Sequence, residues 1–247
     1  MIKQERAVRT RRALIESAAE AFGVRGYTEA TLHMISAGAG VSTGALHFHF
    51  ENKAAVAAAV ERTAARALRA AACAVYAERS SALQALADAS HVLARALARD
   101  AVVRAGLQLG REATYAPEFD LRGEWHRYVL RLLGEAEGEG ALLPGLCRGH
   151  AAAMVVATTI GFEALGQHDR TWISRRMVTG FWELTLPCLA TPEALRGLDP
   201  AGRHAAAGAA ECGAAAGPVA GGGAVAAVLP GPGAAGRAEP AGRGPRG

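Results

Sequence analysis

The sequence has little that would mark an enzyme, a secreted protein or a membrane protein. Its four cysteines, Cys73, Cys147, Cys188 and Cys212, lie far apart and form no CxxC pair. With no secretory leader recognisable, a disulfide framework is not expected, and reduced thiols in the cytoplasm are. Uncharged runs are short. Residues 151–162 fall below the roughly 20 that a membrane-spanning helix needs, and the run 213–236 is broken by Gly and Pro. There is no GxSxG, no P-loop, no HExxH and no dinucleotide fingerprint. His126 and His150 have no acid or nucleophile partner at a catalytic spacing. Neither an enzyme nor a bound cofactor is expected.

What is present is alanine and helical periodicity. Of 247 residues 51% are apolar, enough to bury a core, and the alanine share favours helix over sheet. The net charge of +4 is compatible with a polyanionic partner. Composition divides the chain into residues 1–53, residues 54–190 and an Ala/Gly/Pro-rich remainder from 191. The first region carries seven Lys/Arg and five Glu, with Lys3, Arg6, Arg9, Arg11 and Arg12 against one acid, Glu5, in the first dozen positions. The remainder has too few large apolar residues to offset the entropy of ordering, so 191–247 reads as a disordered tail.

Leu14, Ile15, Ala18, Ala19 and Phe22 recur at helical spacing and predict a helix over about 7–23, stopped by Gly23 and Gly26. A short helix with Leu32 and Ile35 inward follows, capped by Thr31. Gly40 suits a tight turn, and Ser42 or Thr43 can cap a third helix. Two short helices across a glycine turn make a helix-turn-helix. The stretch "HFHF" at 47–50 alternates like a strand but sits on this third helix, where Leu46 and Phe50 face inward. His47, Phe48 and His49 point elsewhere. A metal pair, a plain solvent-facing surface, and contact with phosphates and thymine methyls are the readings open to them.

The run "TRRALIESAAEAFGVRGYTEATLHMISAGAGVSTGALHFHFENKAAV" resembles the tetracycline-repressor-like (TetR) family. "GALHFHFENKAAVAAAV", "VRAGLQLGREA", "EWHRYVLRLLGEAEGEGALLPG" and "FWELTLPCLA" narrow the likeness to the γ-butyrolactone receptor subfamily, over roughly residues 5–190. The resemblance implies an all-α homodimer without a membrane segment. It implies an N-terminal three-helix DNA-binding domain (1–53) and a C-terminal helical ligand-binding and dimerisation domain (54–190). Its function would be a repressor released from a pseudo-palindromic double-stranded operator by a γ-butyrolactone-type signal, controlling antibiotic production. A pseudo-receptor responding to antibiotics or biosynthetic intermediates, or a ligand-binding module without DNA binding, are the alternatives.

Carried over by position, the DNA-facing set is Thr31, Ser42, Thr43, Gly44, Ala45, His47, Phe48, His49 and Lys53. Thr31 and Lys53 would meet phosphates, and Gly44 would permit close backbone approach. Thr43 and His47 depart from the lysine and tyrosine that the family commonly has there. The basic stretch Lys3–Arg12 could reach the DNA backbone or minor groove, or be an ordinary solvated helix start. In the second half, helices are expected at about 54–75, 80–97, 101–115, 121–138, 149–166 and 171–188. Trp125 matches the subfamily's lactone-packing tryptophan, with Leu107, Val129 and Phe162 as further ligand candidates; core packing is the other reading of all four. The run 151–166 is apolar on most sides and wants burial all round, within one chain or against a second subunit.

Overall fold

The computed structural model describes residues 2–203. The described residues form ten α-helices and one 3-10 turn. The N-terminal three are α1 (Ile2–Glu29), α2 (Leu32–Gly38) and α3 (Thr43–His49). A long α4 (Lys53–Ala77) leads to α5 (Ala82–Arg99), α6 (Ala101–Leu109), α7 (Leu121–Gly138), α8 (Arg148–Leu165), α9 (Arg175–Leu189) and α10 (Pro192–Leu195).

The first helix is longer than its apolar pattern. It begins at Ile2, where charged residues hide the periodicity, and passes through Gly23 without interruption. The break comes at Gly26, whose φ of 74° is open to glycine and costly for other residues. Gly23 therefore does not end the helix, and Gly26 alone kinks it. The caps of the next two helices are those the sequence offered. Thr31 Oγ1 accepts from Met34 N at 3.2 Å, and Ser42 Oγ accepts from Ala45 N at 3.2 Å. Between them Gly40 takes φ 67°, and the Ser36 and Thr43 hydroxyls lie 3.3 Å apart across the turn.

Leu14, Ala18, Phe22, Ile35 and Leu46 are buried together. Each large apolar side chain so buried contributes about 1.5–3 kcal/mol. Phe50 is also buried, but its backbone has left the helix (φ −142°, ψ 128°). This core does not stop at residue 53. It runs on through Val56 and Val60 of α4 to Val103 and Leu109 of α6. At the α4–α6 crossing Gly106 lets the backbones close, since a Cβ there would stand 2.5 Å from Ala64 Cβ.

Three further boundaries differ from expectation. α6 ends at Leu109 rather than about 115, because Gly110 caps it and Glu112 turns back toward Tyr27. The predicted helix over 171–188 is split by Ser174, whose Oγ accepts from Met177 N at 3.3 Å and starts α9 afresh. Residues 191–203 are ordered, not tail. Thr191 caps α10, Asp199 N donates to Gln84 Oε1 at 2.8 Å, and Arg203 N donates to Asp88 Oδ1 at 2.7 Å. Local polar bonds to α5 order this segment where large apolar residues are few. The remainder of the tail, from 204, lies outside the described residues. No helix among the described residues is long and apolar enough to cross a membrane.

Candidate functional site

With Leu46 anchoring α3 from below, the helix turns His47 and Phe48 to solvent. Phe48 is 82% exposed, His47 is exposed and His49 half-buried. The Phe48 and His49 rings meet edge to face at 5.2 Å. The Phe48 ring is therefore open to contact from outside the chain, at the tip of a short capped helix. Gly44 is exposed and a side chain there would meet only Ser42 Oγ, at 3.9 Å, so the backbone is open to close approach. Ser42 is exposed and Ala45 half-buried, while Thr43 is half-buried with its hydroxyl turned to Ser36. Thr31 is exposed and retains its hydroxyl proton for an outside acceptor after capping α2. On α1, Arg6 and Arg9 are exposed, and Arg12 pairs with Glu16 at 2.8 Å. Arg11 instead lies over the Phe50 ring, 5.0 Å from its centre.

Lys53 is occupied differently from the rest of the set. Its Nζ donates to the carbonyls of Tyr27, Thr28 and Ala30 at 2.9, 3.0 and 3.1 Å, and lies 4.6 Å over the Tyr27 ring. All three ammonium protons go to the carbonyl end of α1, where a cation is favoured by the helix dipole. In this arrangement, without DNA, all three protons are used within the chain and clamp the end of α1.

Tyr27 is also where the two halves of the chain meet. Its N–H donates to Glu112 Oε1 at 3.1 Å, and its ring packs 4.9 Å from that of Tyr115. The hydroxyls of Thr28 and Thr114 are 2.9 Å apart. The Tyr115 hydroxyl donates to Glu61 Oε2 at 2.7 Å, and Glu118 N donates to the same oxygen at 2.9 Å. Glu61 is wholly buried and its other oxygen has no partner. Burial raises its carboxyl above the ordinary range, against the lowering from Glu118 N–H and the Tyr115 hydroxyl. Burial and then Glu61 raise the Tyr115 phenol in turn. Tyr27, Glu61, Glu112 and Tyr115 thus form a junction that no local pattern announces, because the hydrogen-bonded partners lie 54 and 85 residues apart.

In the second half, Trp125 on α7 donates Nε1–H to Thr159 Oγ1 of α8 at 2.8 Å and stacks 6.0 Å from Tyr128. Its one donor is used inside the protein, leaving the half-buried ring face as what it can offer a ligand. Leu107 is buried and Val129 fully buried, and Phe162 packs edge to face on Phe181 at 6.0 Å. Leu107 and Phe162 adjoin the shared core. Arg122 Nη2 and Glu163 Oε2 pair at 2.6 Å between the same two helices. Trp182 is fully buried on α9 with its N–H unpartnered. Among the described residues no three His, Cys, Asp or Glu side chains gather to hold a metal ion.

A helix-turn-helix unit, continuous through one long helix with a larger helical body, is the build of a one-component regulator. Residues 14–60 match the family model described as bacterial regulatory proteins, tetR family. The A-factor receptor protein of Streptomyces griseus is 30% identical over 204 residues, covering 82% of this chain and 72% of that protein. The chain belongs to the tetR family, in its γ-butyrolactone-receptor branch. Among solved structures, a γ-butyrolactone receptor described as ArpA-like superposes with a TM-score of 0.70 at 27% identity, covering 79% of this chain and 96% of that one. CprB of Streptomyces coelicolor, in complex with its biological operator sequence, gives 0.67 at 27% identity, with coverages of 77% and 94%.

Proposed function

We propose that this chain is a transcriptional repressor that docks on a pseudo-palindromic operator as a homodimer, is released by a γ-butyrolactone-type signal, and controls antibiotic production. The observation that carries the reading is the outward face of α3, where Phe48 stands 82% exposed beside two histidines. In the major groove that ring would meet thymine methyls, and the imidazoles would meet base edges or phosphates. Ser42, Gly44 and Ala45 at the start of α3 would lie along the groove wall, and Thr31 would donate to a phosphate. Family membership supports the same reading, as do a relative named for A-factor, one named for γ-butyrolactone and one solved with its operator. A further solved structure, 28% identical to this chain, is described as the molecular basis for control of antibiotic production by bacterial hormones. The cytoplasm, where the operator lies, is the place of action, and no catalysis is part of the reading.

The dimer follows from what one chain leaves uncovered. α8 buries Ala151, Ala152 and Val155 but leaves Met154 and Leu165 exposed, and Leu184 of α9 is 79% exposed. A second copy of α8 and α9 would cover them. Two recognition helices would then sit about 34–36 Å apart, one helical turn of DNA. A ligand on the free face of Trp125, near Phe162, Leu107 and Val129, would shift α7 and α8. Because Glu112 and Tyr115 bond α1 and α4 directly, such a shift reaches the DNA-binding half. Release needs only that the ligand prefer the form in which the two α3 helices are wrongly spaced.

The test is a gel shift at fixed salt, with DNA from upstream of the chain's own gene and then an organic extract of its native culture. A specific shift abolished by the extract is expected, and Trp125→Ala should keep the shift and lose the release. A shift that the extract leaves intact would refute ligand release.

A further inference from the structure

A cavity of about 260 Å³ lies on the seam between α1 and the larger helical body, away from Trp125. Its walls include Gly23 and Val24 of α1, Leu97 of α5, Arg104 of α6, Glu163 of α8 and Ile173. None of Trp125, Leu107, Val129 or Phe162 lines it. Its volume lies just under the about 300 Å³ at which drug-sized sites begin, so its occupant is small. Val24 is 84% exposed and Arg170, also in the lining, is exposed, so the cavity communicates with solvent.

Its charges are unequal in how they are satisfied. Glu163 is neutralised from outside the cavity by Arg122 at 2.6 Å and Arg111 at 3.7 Å. Glu20 is exposed on α1. Arg104 and Arg170 have no carboxylate within ion-pair distance among the described residues; Arg104 Nη1 donates to the Leu97 carbonyl at 2.9 Å and, on a longer arm, to the Ala98 carbonyl at 3.4 Å, which also accepts from Arg170 Nη1 at 2.6 Å. Sharing the Ala98 carbonyl as neighbours, the two guanidinium groups repel. Burial and then Arg170 hold Arg104 below the ordinary arginine range, opposed by Asp100. Arginine does not deprotonate in proteins, so an anion is what relieves such a pair. The two glutamates in the lining disfavour a dianion. Leu97, Ile173, Val24 and Ala101 give the rest of the space apolar walls.

We propose that this cavity binds a small monocarboxylate, its carboxylate between Arg104 and Arg170 and its short apolar body against Leu97 and Ile173. It is a second site, separate from the one facing Trp125. The occupant would touch α1 together with α5, α6 and α8, and so would tie the DNA-binding half to the ligand half. Only that consequence for DNA rests on the function proposed above; binding itself does not.

The test is calorimetric titration of the full chain with hexanoate, and with methyl hexanoate as the uncharged control. Hexanoate should bind once per chain, and the ester at least ten-fold more weakly. Arg104→Gln and Arg170→Gln should each weaken hexanoate at least ten-fold, while Trp125→Phe leaves it unchanged. Gly23→Leu should abolish binding by filling the cavity, and it should fold, because a Cβ at Gly23 meets nothing within 4 Å. Thermal melts establish that each variant is folded. Should Arg104→Gln not fold, Arg170→Gln and Gly23→Leu decide. Failure of hexanoate to bind the wild type, equal binding of the ester, indifference to the arginine and Gly23 variants, or loss in Trp125→Phe would each overturn the proposal. Since no DNA enters the titration, these failures are separate from failure of the repressor reading.

Discussion

Replacing Lys53 by methionine separates two occupations of one ammonium group. In the structure Lys53 Nζ donates to three carbonyls at 2.9–3.1 Å and covers the Tyr27 ring. Hydrogen bonds from a charged donor are worth about 1.5–3 kcal/mol each. They share one nitrogen, and water can reach part of the site, so the sum is discounted to about 2–4 kcal/mol. For a domain of this size each kcal/mol moves Tm by roughly 2–4 °C, so Lys53→Met should lower Tm by about 4–16 °C. Methionine keeps the apolar stem beside Tyr27 and removes the donors together with the charge that the ring and the end of α1 favour. A phosphate contact predicts the opposite pattern. It would leave Tm unchanged and lower the slope of log Kobs against log salt by about 0.9 per lost contact. The assays are a melt without DNA and a salt titration of binding to the fragment that the wild type shifts. Unchanged Tm with a shallower salt slope would refute the clamp.

Gly106→Ala should push α4 and α6 apart, since the new Cβ lies 2.5 Å from Ala64 Cβ. Overpacking costs about 1–3 kcal/mol and the helix gain returns about 1, so a net loss of about 1 kcal/mol is expected in urea unfolding; a gain in stability would count against the tight crossing. Glu61→Gln tests the buried carboxyl. Its folded pKa is raised from the ordinary 4.5, so the folded chain keeps a proton that the unfolded chain has released. Stability from this group therefore falls as pH rises from about 4.5 through the folded value. The Glu61→Gln variant should lack that fall and be the more stable form above it; the same pH profile in both proteins would contradict the assignment. Leu184→Arg, on the exposed face of α9, should give a helical monomer in sedimentation, and an unchanged dimer would place the interface elsewhere.

The sequence is informative where structure is local. Thr31 and Ser42 cap the helices that follow them, Gly40 takes the positive φ its turn needs, and α7 runs from Leu121 to Gly138 as the apolar pattern indicates. Leu46 is inward and Phe48 outward as helical spacing requires. The start of α1 is invisible to periodicity because charged residues carry no apolar stripe. The early end of α6 escapes it because Glu112 is drawn away by Tyr27, a partner 85 residues distant. Residues 191–203 look like tail because polar bonds to Gln84 and Asp88, not apolar bulk, fix them. Family likeness assigns Lys53 to phosphate, and only folding brings three distant carbonyls onto its nitrogen. The Trp125 ring stands where a ligand could use it, but its N–H is already donated to Thr159, which spacing alone does not foretell.

The most direct test of the central claim is selection from random duplex DNA with the full chain, followed by anisotropy of the enriched sequence at fixed salt for wild type and Phe48→Ala. The expected result is a pseudo-palindrome with half-sites about 10 base pairs apart, bound at least ten-fold more weakly by Phe48→Ala while both proteins melt alike. A folded dimer that enriches no sequence, or an enriched sequence indifferent to Phe48, would contradict it.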